Sequence, residues 1–183
     1  AFDAPTPGTG KSKLAEVAGI LATGGRPPAI GQGSTVEEFE KRLSTLLRMG
    51  DAVIFIDNIE RPLESDFLCS ALTQERVQCR ILGKSERFEV PNTATILATG
   101  NNLVFAGDIT RRAIVCRIDA QMEKPDERQF DFDPTAAARD RRPELVVAAL
   151  TAIRAYVVAG QPCSVPQMGS FESWNLIRET LVW

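Results

Sequence analysis

The sequence predicts an α/β protein with three layers, in which helices cover both faces of a mostly parallel sheet. A continuous apolar run at 52–56 ends in the carboxylate of Asp57, which is typical of a strand buried on both faces. A second run of small and β-branched residues, 93–99, has similar character. Before these runs, apolar residues at 14, 17, 18 and 21 follow the spacing of a helix.

The remaining elements are predicted from caps, breakers and apolar spacing. Glycines and prolines at 24–28 end the first helix, and Ser34 is the predicted cap of a second helix that runs to Gly50. The predicted order begins with a strand end at 1–4 whose beginning is missing, a helix at 11–23, a strand at 29–30, the Ser34 helix and strand 52–57. A short helix at 66–74, a hairpin at 76–90 and strand 93–99 follow. The last predicted elements are a helical turn at 108–112, a strand at 113–118, and helices at 144–159 and after Ser170.

Three regions follow from this order. Residues 1–122 form the predicted core. Residues 123–142 are charged and interrupted by proline, so we expect a linker. Residues 143–183 are expected to form part of a second, helical domain.

The composition excludes several kinds of site. There is no histidine, which removes Ser-His-Asp and Cys-His nucleophiles and the common zinc sites. The four cysteines are scattered, which favours free thiols in a reducing, cytoplasmic setting. The most apolar long stretch, 145–160, contains Arg154 and is too short for a bilayer, so no membrane partner is expected. A net charge of −3 means that any nucleic-acid contact has to be local.

The segment from Pro5 to Ser12 has the pattern of a phosphate-binding loop that opens a helix, with Pro5 in place of the usual leading glycine. In such a loop, glycines allow backbone N–H groups to surround the phosphates. Lys11 would reach the β- and γ-phosphates of ATP, and the Ser12 hydroxyl would hold Mg²⁺. A glycine-rich turn without a ligand is the alternative. The predicted nucleotide contacts are Pro7, Gly8, Thr9, Gly10, Lys11, Ser12 and Lys13.

Polar side chains follow the two buried strands. Asp57 is the predicted second Mg²⁺ ligand, although a turn or cap role is common for such a residue. Asn58 follows it, where many ATPases have a glutamate that activates water. Because an amide cannot accept a proton, either hydrolysis is slow or another carboxylate, Glu60 or Glu64, serves. Asn101, ahead of Asn102, is predicted to contact the γ-phosphate or the attacking water, the alternative being a simple turn.

Two groups of basic residues each allow two roles on sequence alone. Arg111 and Arg112 form either an arginine finger for a neighbouring subunit, with Arg112 preferred, or salt bridges with Asp108 or Asp119. The hairpin carries Arg80, Lys84 and Arg87, predicted to contact the phosphates of DNA, or else to form a solvated edge.

These residues, in this order, resemble the AAA+ P-loop ATPase core. Within that class the chain is similar to helicase modules of phages and mobile elements, which are related to superfamily III and MCM-like helicases. The resemblance covers about residues 1–120, through Ala4–Ser12 (Walker A), Val53–Asn58 (Walker B), Ala98–Asn102 (sensor 1) and Gly107–Arg112 (finger region). It implies ATP and Mg²⁺ at the interfaces of a homo-oligomer, usually a hexamer. It also implies a hairpin with Lys84 at its tip that follows single-stranded or forked DNA, a helical lid begun by residues 143–183, and an upstream primase-like domain.

Three functions are compatible with these patterns. The first is an ATP-driven DNA motor of a helicase or helicase-primase, with Lys11, Asp57, Asn58, Asn101 and Arg112 as its catalytic residues. The second is a nucleotide-gated assembly ATPase, such as those that serve transposition, with weak hydrolysis; Asn58 favours it. The third is a small-molecule kinase, which the asparagine pair and the basic hairpin disfavour.

Overall fold

The computed structural model describes residues 1–80 and 87–183, and within them the chain is an α/β protein. The strands are β1 (Phe2–Ala4), β2 (Ala29–Ile30), β3 (Val53–Ile59), β4 (Arg76–Arg80), β5 (Arg87–Pro91), β6 (Thr95–Asn101) and β7 (Cys116–Arg117). The α-helices are α1 (Lys11–Thr23), α2 (Val36–Met49), α3 (Asp66–Ala71), α4 (Pro134–Asp140), α5 (Arg142–Val158) and α6 (Asn175–Val182), with short 3₁₀ helices at Gly107–Arg111, Pro125–Glu127 and Glu172–Trp174.

Five strands form one parallel sheet in the order β2-β3-β6-β1-β7. The predicted parallel core is therefore confirmed. The strand that carries Asn101 lies between the strand that precedes the loop and the strand that carries Asp57. Because parallel strands place their carboxyl ends at one edge, the polar residues that follow β1, β3 and β6 meet there. The predicted hairpin is also confirmed, as the antiparallel pair β4 and β5.

Glycines flank helix α1, and a threonine caps the start of helix α2. Gly10 and Gly24 flank α1 in the left-handed conformation, which costs glycine little. The cap of α2 is Thr35, whose hydroxyl accepts a hydrogen bond from the Glu38 N–H. The prediction of Ser34 as the cap was wrong by one residue, because the Ser34 hydroxyl bonds the Glu38 carboxylate instead.

The largest apolar cluster lies where α2, α3 and the Ile109 turn meet β3. It is built from Phe39, Leu43, Leu47, Ile54, Ile56, Ile59, Leu63, Leu68 and Ile109, all nearly inaccessible to water. Helix α1 contributes Ala15 and Ile20 to a separate buried layer, with α4 against it. The loop before α1 is thereby fixed between a packed helix and a packed sheet.

The segment predicted as a linker, 123–142, contains secondary structure. Helix α4 lies within it, capped by the Asp133 carboxylate, which accepts from the Thr135 N–H. Thr135 and Ala138 are the buried positions of this helix. Immediately after it, Arg142 Nε donates to the carbonyls of Ile20 and Leu21, which are in the last turn of α1. The prediction of a linker was wrong for Pro134–Asp140, because these residues form α4, whose small side chains pack on α1.

The final helices pack around Tyr156 of α5. Its side chain is fully buried, its hydroxyl lies 3.0 Å from Glu179 Oε2, and its ring centroid is 5.6 Å from that of Trp183. Ser170 does not cap the last helix as predicted; it has a positive φ and precedes a 3₁₀ turn that leads into α6. In the part of the chain that the structure describes, no helix combines the length and apolar character needed to span a bilayer.

Candidate functional site

The loop between β1 and α1 is shaped by two glycines. Gly8 and Gly10 both have positive φ, of 73° and 89°. A Cβ on Gly8 would lie 2.7 Å from the Cβ of Asp126, so the segment after β7 packs directly on the loop. The Arg128 guanidinium also contacts it, with Nη2 3.3 Å from the Thr9 carbonyl oxygen. The loop is thus held in one conformation by its own glycines and by residues 126–128.

Lys11 is buried at the start of α1, with 8% of its surface exposed. Its Nζ donates to Asn101 Oδ1 at 2.8 Å, to Thr9 Oγ1 at 2.9 Å and to the Thr6 carbonyl at 3.3 Å. Burial lowers the pKa of the Lys11 ammonium below its usual value, and the carboxylate of Asp3 acts in the opposite direction. The loop therefore contains a cation with little water around it, which favours an anionic partner.

Ser12 and Asp57 lie side by side. The Ser12 hydroxyl donates to Asp57 Oδ1 at 2.8 Å, and the Thr99 hydroxyl donates to the same oxygen at 2.6 Å. Thr99 is buried at 1% exposure on β6. Thr99 was not predicted from the sequence, because its role depends on β6 lying next to β3.

Asn58 lies in the left-handed region, with φ of 55°. Its backbone N–H donates to the Thr99 hydroxyl at 3.2 Å, and its side-chain amide donates to Glu60 Oε1 at 2.8 Å. The amide thus brings the nearest of the two predicted carboxylates to the end of β3. Glu64 lies further along the same loop, before the serine that caps α3.

The two asparagines after β6 have different partners. Asn101 contacts Lys11, whereas Asn102 donates to the Pro5 carbonyl at 3.3 Å and accepts from Arg117 at 3.1 Å. Arg117 also pairs with the buried Asp3. Asn102 and Arg117 therefore support the loop rather than point at Lys11. Sequence alone did not identify Asp3 or Arg117, since the pairing requires β1 and β7 to be neighbours.

Arg112 has three hydrogen-bond partners from α3, the residues after it and the Gly107–Arg111 turn. Its guanidinium donates to the Cys69 carbonyl at 2.5 Å and to Thr73 Oγ1 at 3.2 Å, and it pairs with Asp108. Its side chain is 11% exposed, whereas that of Arg111, which also pairs with Asp108, is 54% exposed. The hydrogen bond from Arg111 holds the pKa of Asp108 below its usual value. The salt bridge weighed as an alternative to the finger is thus present.

Arg112 also lines a cavity of about 380 Å³, together with Leu68, Phe105 and Trp174. A role in a neighbouring subunit's site would require Arg112 to give up its contacts with Cys69, Thr73 and Asp108. The finger role remains a prediction.

Other predicted contacts lie further from Lys11. The Lys13 ammonium is 3.5 Å from Glu16 and half-exposed on α1. Arg80 ends β4 and Arg87 begins β5, so both are on the hairpin as predicted. Lys84 lies outside the described residues. The DNA contacts of this hairpin remain a prediction.

The residues present fit a nucleoside triphosphate with Mg²⁺. The start of α1 has the buried ammonium group of Lys11, the hydroxyl of Ser12 and the nearby carboxylate of Asp57. Hydroxyl and carboxylate oxygens are the hard ligands that Mg²⁺ prefers. The loop backbone is uncovered at Gly10, because a Cβ placed there would meet nothing within 4 Å. An uncovered loop backbone at the start of a helix is compatible with phosphate binding.

Comparisons with known proteins bear on the fold. No protein-family model matches the chain, and no curated protein matches it by sequence. Among solved structures, it is similar to the A-form apo structure of the NrS-1 C-terminal region (CTR), with a TM-score of 0.52 and 15% identity. The match covers 77% of this chain and 33% of that one, so the chain spans about a third of that structure's length. At this identity, the two chains share a fold.

Proposed function

We propose that this chain binds and hydrolyses ATP with Mg²⁺, as the motor domain of a DNA helicase or helicase-primase from a phage or mobile genetic element. The observation that carries the proposal is the meeting of three strand ends at one loop. Lys11 contacts Asn101 after β6, and Ser12 contacts Asp57 on β3. Residues far apart in sequence thus converge on the start of α1, where the helix dipole also favours phosphate.

Each residue has a role that follows from its chemistry. The loop N–H groups and the Lys11 ammonium bind the β- and γ-phosphates. Ser12 and Asp57 hold Mg²⁺, which when bound neutralises charge on those phosphates. Asn101, which contacts Lys11, would orient the attacking water by hydrogen bonding.

The proton of that water needs a carboxylate. Asn58 cannot accept it, but Glu60 can, and the contact between the two favours Glu60 over Glu64 as the base. Asn58 would then position both the water and Glu60. This division of roles differs from the usual one, in which the residue after the aspartate is itself the base.

DNA and oligomer partners are part of the same proposal, and they rest on the resemblance to helicase modules. Arg80 ends β4 and Arg87 begins β5, and these basic residues of the hairpin are the proposed contacts to a DNA backbone. A ring of identical subunits, usually six in the similar helicases, would place these hairpins around a common pore. A cytoplasmic setting and an upstream primase-like domain complete the proposal.

A second function, a nucleotide-gated assembly ATPase with weak hydrolysis, is favoured by Asn58 alone. Its amide, rather than a carboxylate, follows Asp57. Turnover of ATP with and without single-stranded DNA separates the two functions. Stimulation by DNA supports the motor, whereas tight binding with no turnover in either condition supports the switch.

Binding is tested first, by calorimetry with Mg²⁺–ATP on the wild type and on Lys11→Ala. We expect Lys11→Ala to lose measurable affinity, because a desolvated phosphate partner is removed. Lys41→Ala, which removes an exposed lysine of α2 that pairs with Glu37, is the matched control and should bind as the wild type does. Equal affinity of Lys11→Ala and the wild type would contradict the proposal.

A further inference from the structure

The segment after β7 lies against the phosphate loop at two points. We call residues 125–130 the strap. Pro125 is buried, and Asp126 occupies the space beside Gly8, where a Cβ would meet its backbone nitrogen at 2.8 Å. Arg128 Nη2 lies 3.3 Å from the Thr9 carbonyl oxygen. The strap is thus fixed to the loop rather than free in solution.

The strap places an aromatic ring beside the loop. The Arg128 guanidinium carbon is 5.3 Å from the centroid of the Phe130 ring, a cation–π distance. The same guanidinium contacts Thr9, so one planar group joins the loop to the ring. Phe130 remains 68% exposed, although large aromatic side chains are usually covered. The Phe130 ring, joined by Arg128 to the loop, therefore has exposed surface on which a ligand bound at the loop can pack.

We infer that Phe130 and Arg128 form the base-binding part of the site, on which the aromatic base of a nucleoside triphosphate stacks. Stacking on phenylalanine tolerates any base, since every base has a π-face. The partner class is therefore a nucleoside triphosphate rather than inorganic polyphosphate or a phosphorylated protein. Arg128 is a positioning residue, which orients the ring and anchors it to the loop through Thr9.

This inference rests on the proposed function, because the base can stack there only if the phosphates occupy the loop. Comparing the binding of two ligands to the whole chain tests base binding and phosphate binding separately. Mg²⁺–ATP has phosphates and a base, whereas Mg²⁺–triphosphate has phosphates alone. Calorimetry measures both affinities for the wild type, Phe130→Ala, Phe130→Trp, Phe132→Ala and Lys11→Ala.

We expect Phe130→Ala to weaken ATP binding about 5- to 150-fold, the range for loss of one stacked base, and to leave triphosphate binding unchanged. Phe130→Trp should retain ATP affinity, because indole also stacks. Phe132→Ala is the matched control, since Phe132 is 64% exposed two residues further on, and it should bind both ligands as the wild type does. Lys11→Ala should lose both ligands.

Three results would overturn the inference. If Phe130→Ala binds ATP with wild-type affinity while Lys11→Ala does not, the loop binds phosphate but Phe130 does not bind the base. If Phe130→Ala weakens ATP and triphosphate equally, the ring supports the loop structurally and no base stacks on it. If the wild type binds neither ligand, the proposed function itself is contradicted, and the base site with it.

Discussion

Lys11 and Asn101 are 90 residues apart in sequence, yet the Lys11 ammonium donates a 2.8 Å hydrogen bond to the Asn101 side-chain oxygen. The contact joins the first turn of α1 to the carboxyl end of β6. It exists because β6 is inserted next to β1 in the sheet. Any group that Lys11 binds is therefore also within reach of Asn101.

The first prediction concerns Asn101→Ala. We expect ATP affinity to fall less than tenfold, because Lys11 retains its charge and its other contacts, while turnover falls about 10²-fold or more through loss of the oriented water. Calorimetry and a steady-state phosphate-release assay measure the two effects. A loss of binding equal to that of Lys11→Ala would show that Asn101 supports the loop and has no separate role in hydrolysis.

The second prediction concerns Thr99, whose hydroxyl donates to Asp57 and accepts from the Asn58 N–H. Thr99→Val keeps the shape but removes both bonds. The Mg²⁺ concentration for half-maximal ATP binding should rise about tenfold or more, as for other groups that orient a metal ligand. The free energy of unfolding should fall by about 1–2 kcal/mol.

Thr99→Ser is the matched control, since it keeps the hydroxyl. It should restore the wild-type Mg²⁺ requirement. Should Thr99→Val and Thr99→Ser need the same Mg²⁺ concentration, Thr99 has no part in placing Asp57.

The third prediction distinguishes the contribution of Arg111, in the Gly107–Arg111 turn, from that of Arg112, the C-cap of the turn. Arg112→Ala removes a nearly buried guanidinium with three partners and should lower the free energy of unfolding by about 1–3 kcal/mol. Arg111→Ala removes an exposed ion pair and should leave the melting temperature almost unchanged. Thermal melts in the absence of nucleotide measure both.

A subunit-mixing assay then tests the finger role. If Arg112→Ala melts as the wild type does, and yet abolishes turnover that a Lys11→Ala subunit restores, Arg112 acts in the neighbouring site. Loss of stability without such complementation assigns it to the fold.

The fourth prediction is a pH dependence of ATP binding. Only the protonated ammonium of Lys11 attracts phosphate, and burial lowers its pKa in the free protein. Affinity should therefore begin to fall at a pH below the usual lysine value of about 10.5, whereas an ordinary exposed lysine would still be charged there. Titrations from pH 7 to 11, with Lys41→Ala as a control, measure the pH at which affinity begins to fall. A loss that begins only at or above the usual lysine value would contradict the assignment.

The fifth prediction concerns packing behind the loop. Alanine in place of a helical glycine usually stabilises, but a Cβ on Gly19 would lie 2.4 Å from the Pro27 ring. Gly19→Ala should therefore lower the free energy of unfolding by about 1–3 kcal/mol. Gly25→Ala is the control, since a Cβ there meets nothing within 4 Å. A denaturant titration that finds Gly19→Ala as stable as the wild type would show that Pro27 can move.

The fold was largely predictable because its signals are local. Apolar runs predicted β3 and β6, and the glycine-flanked segment predicted α1. Helix α4 was missed because it is short, its buried positions are only Thr135 and Ala138, and its neighbours are charged. Such a helix is stabilised by packing on α1, which no local pattern reports.

The contacts of Lys11 with Asn101 and of Ser12 with Asp57 agree with the predicted grouping of these residues, because helix starts and strand ends can be recognised in the sequence; their roles remain predictions. Thr99, Arg117 and Asp3 were not predictable, because their contacts join neighbouring strands. Alternating strands and helices indicate a parallel sheet but do not specify that β6 separates β1 from β3. The lysine at the hairpin tip, Lys84, lies outside the described residues, so its DNA contact stays a prediction.

Helix α1 is fastened at both ends by one stretch of chain. Arg128 holds the Thr9 carbonyl just before its first turn, and Arg142 holds two carbonyls of its last turn. The loop and the start of α5 are therefore joined through α1, so a change in the position of the loop would strain the hydrogen bonds that Arg142 makes.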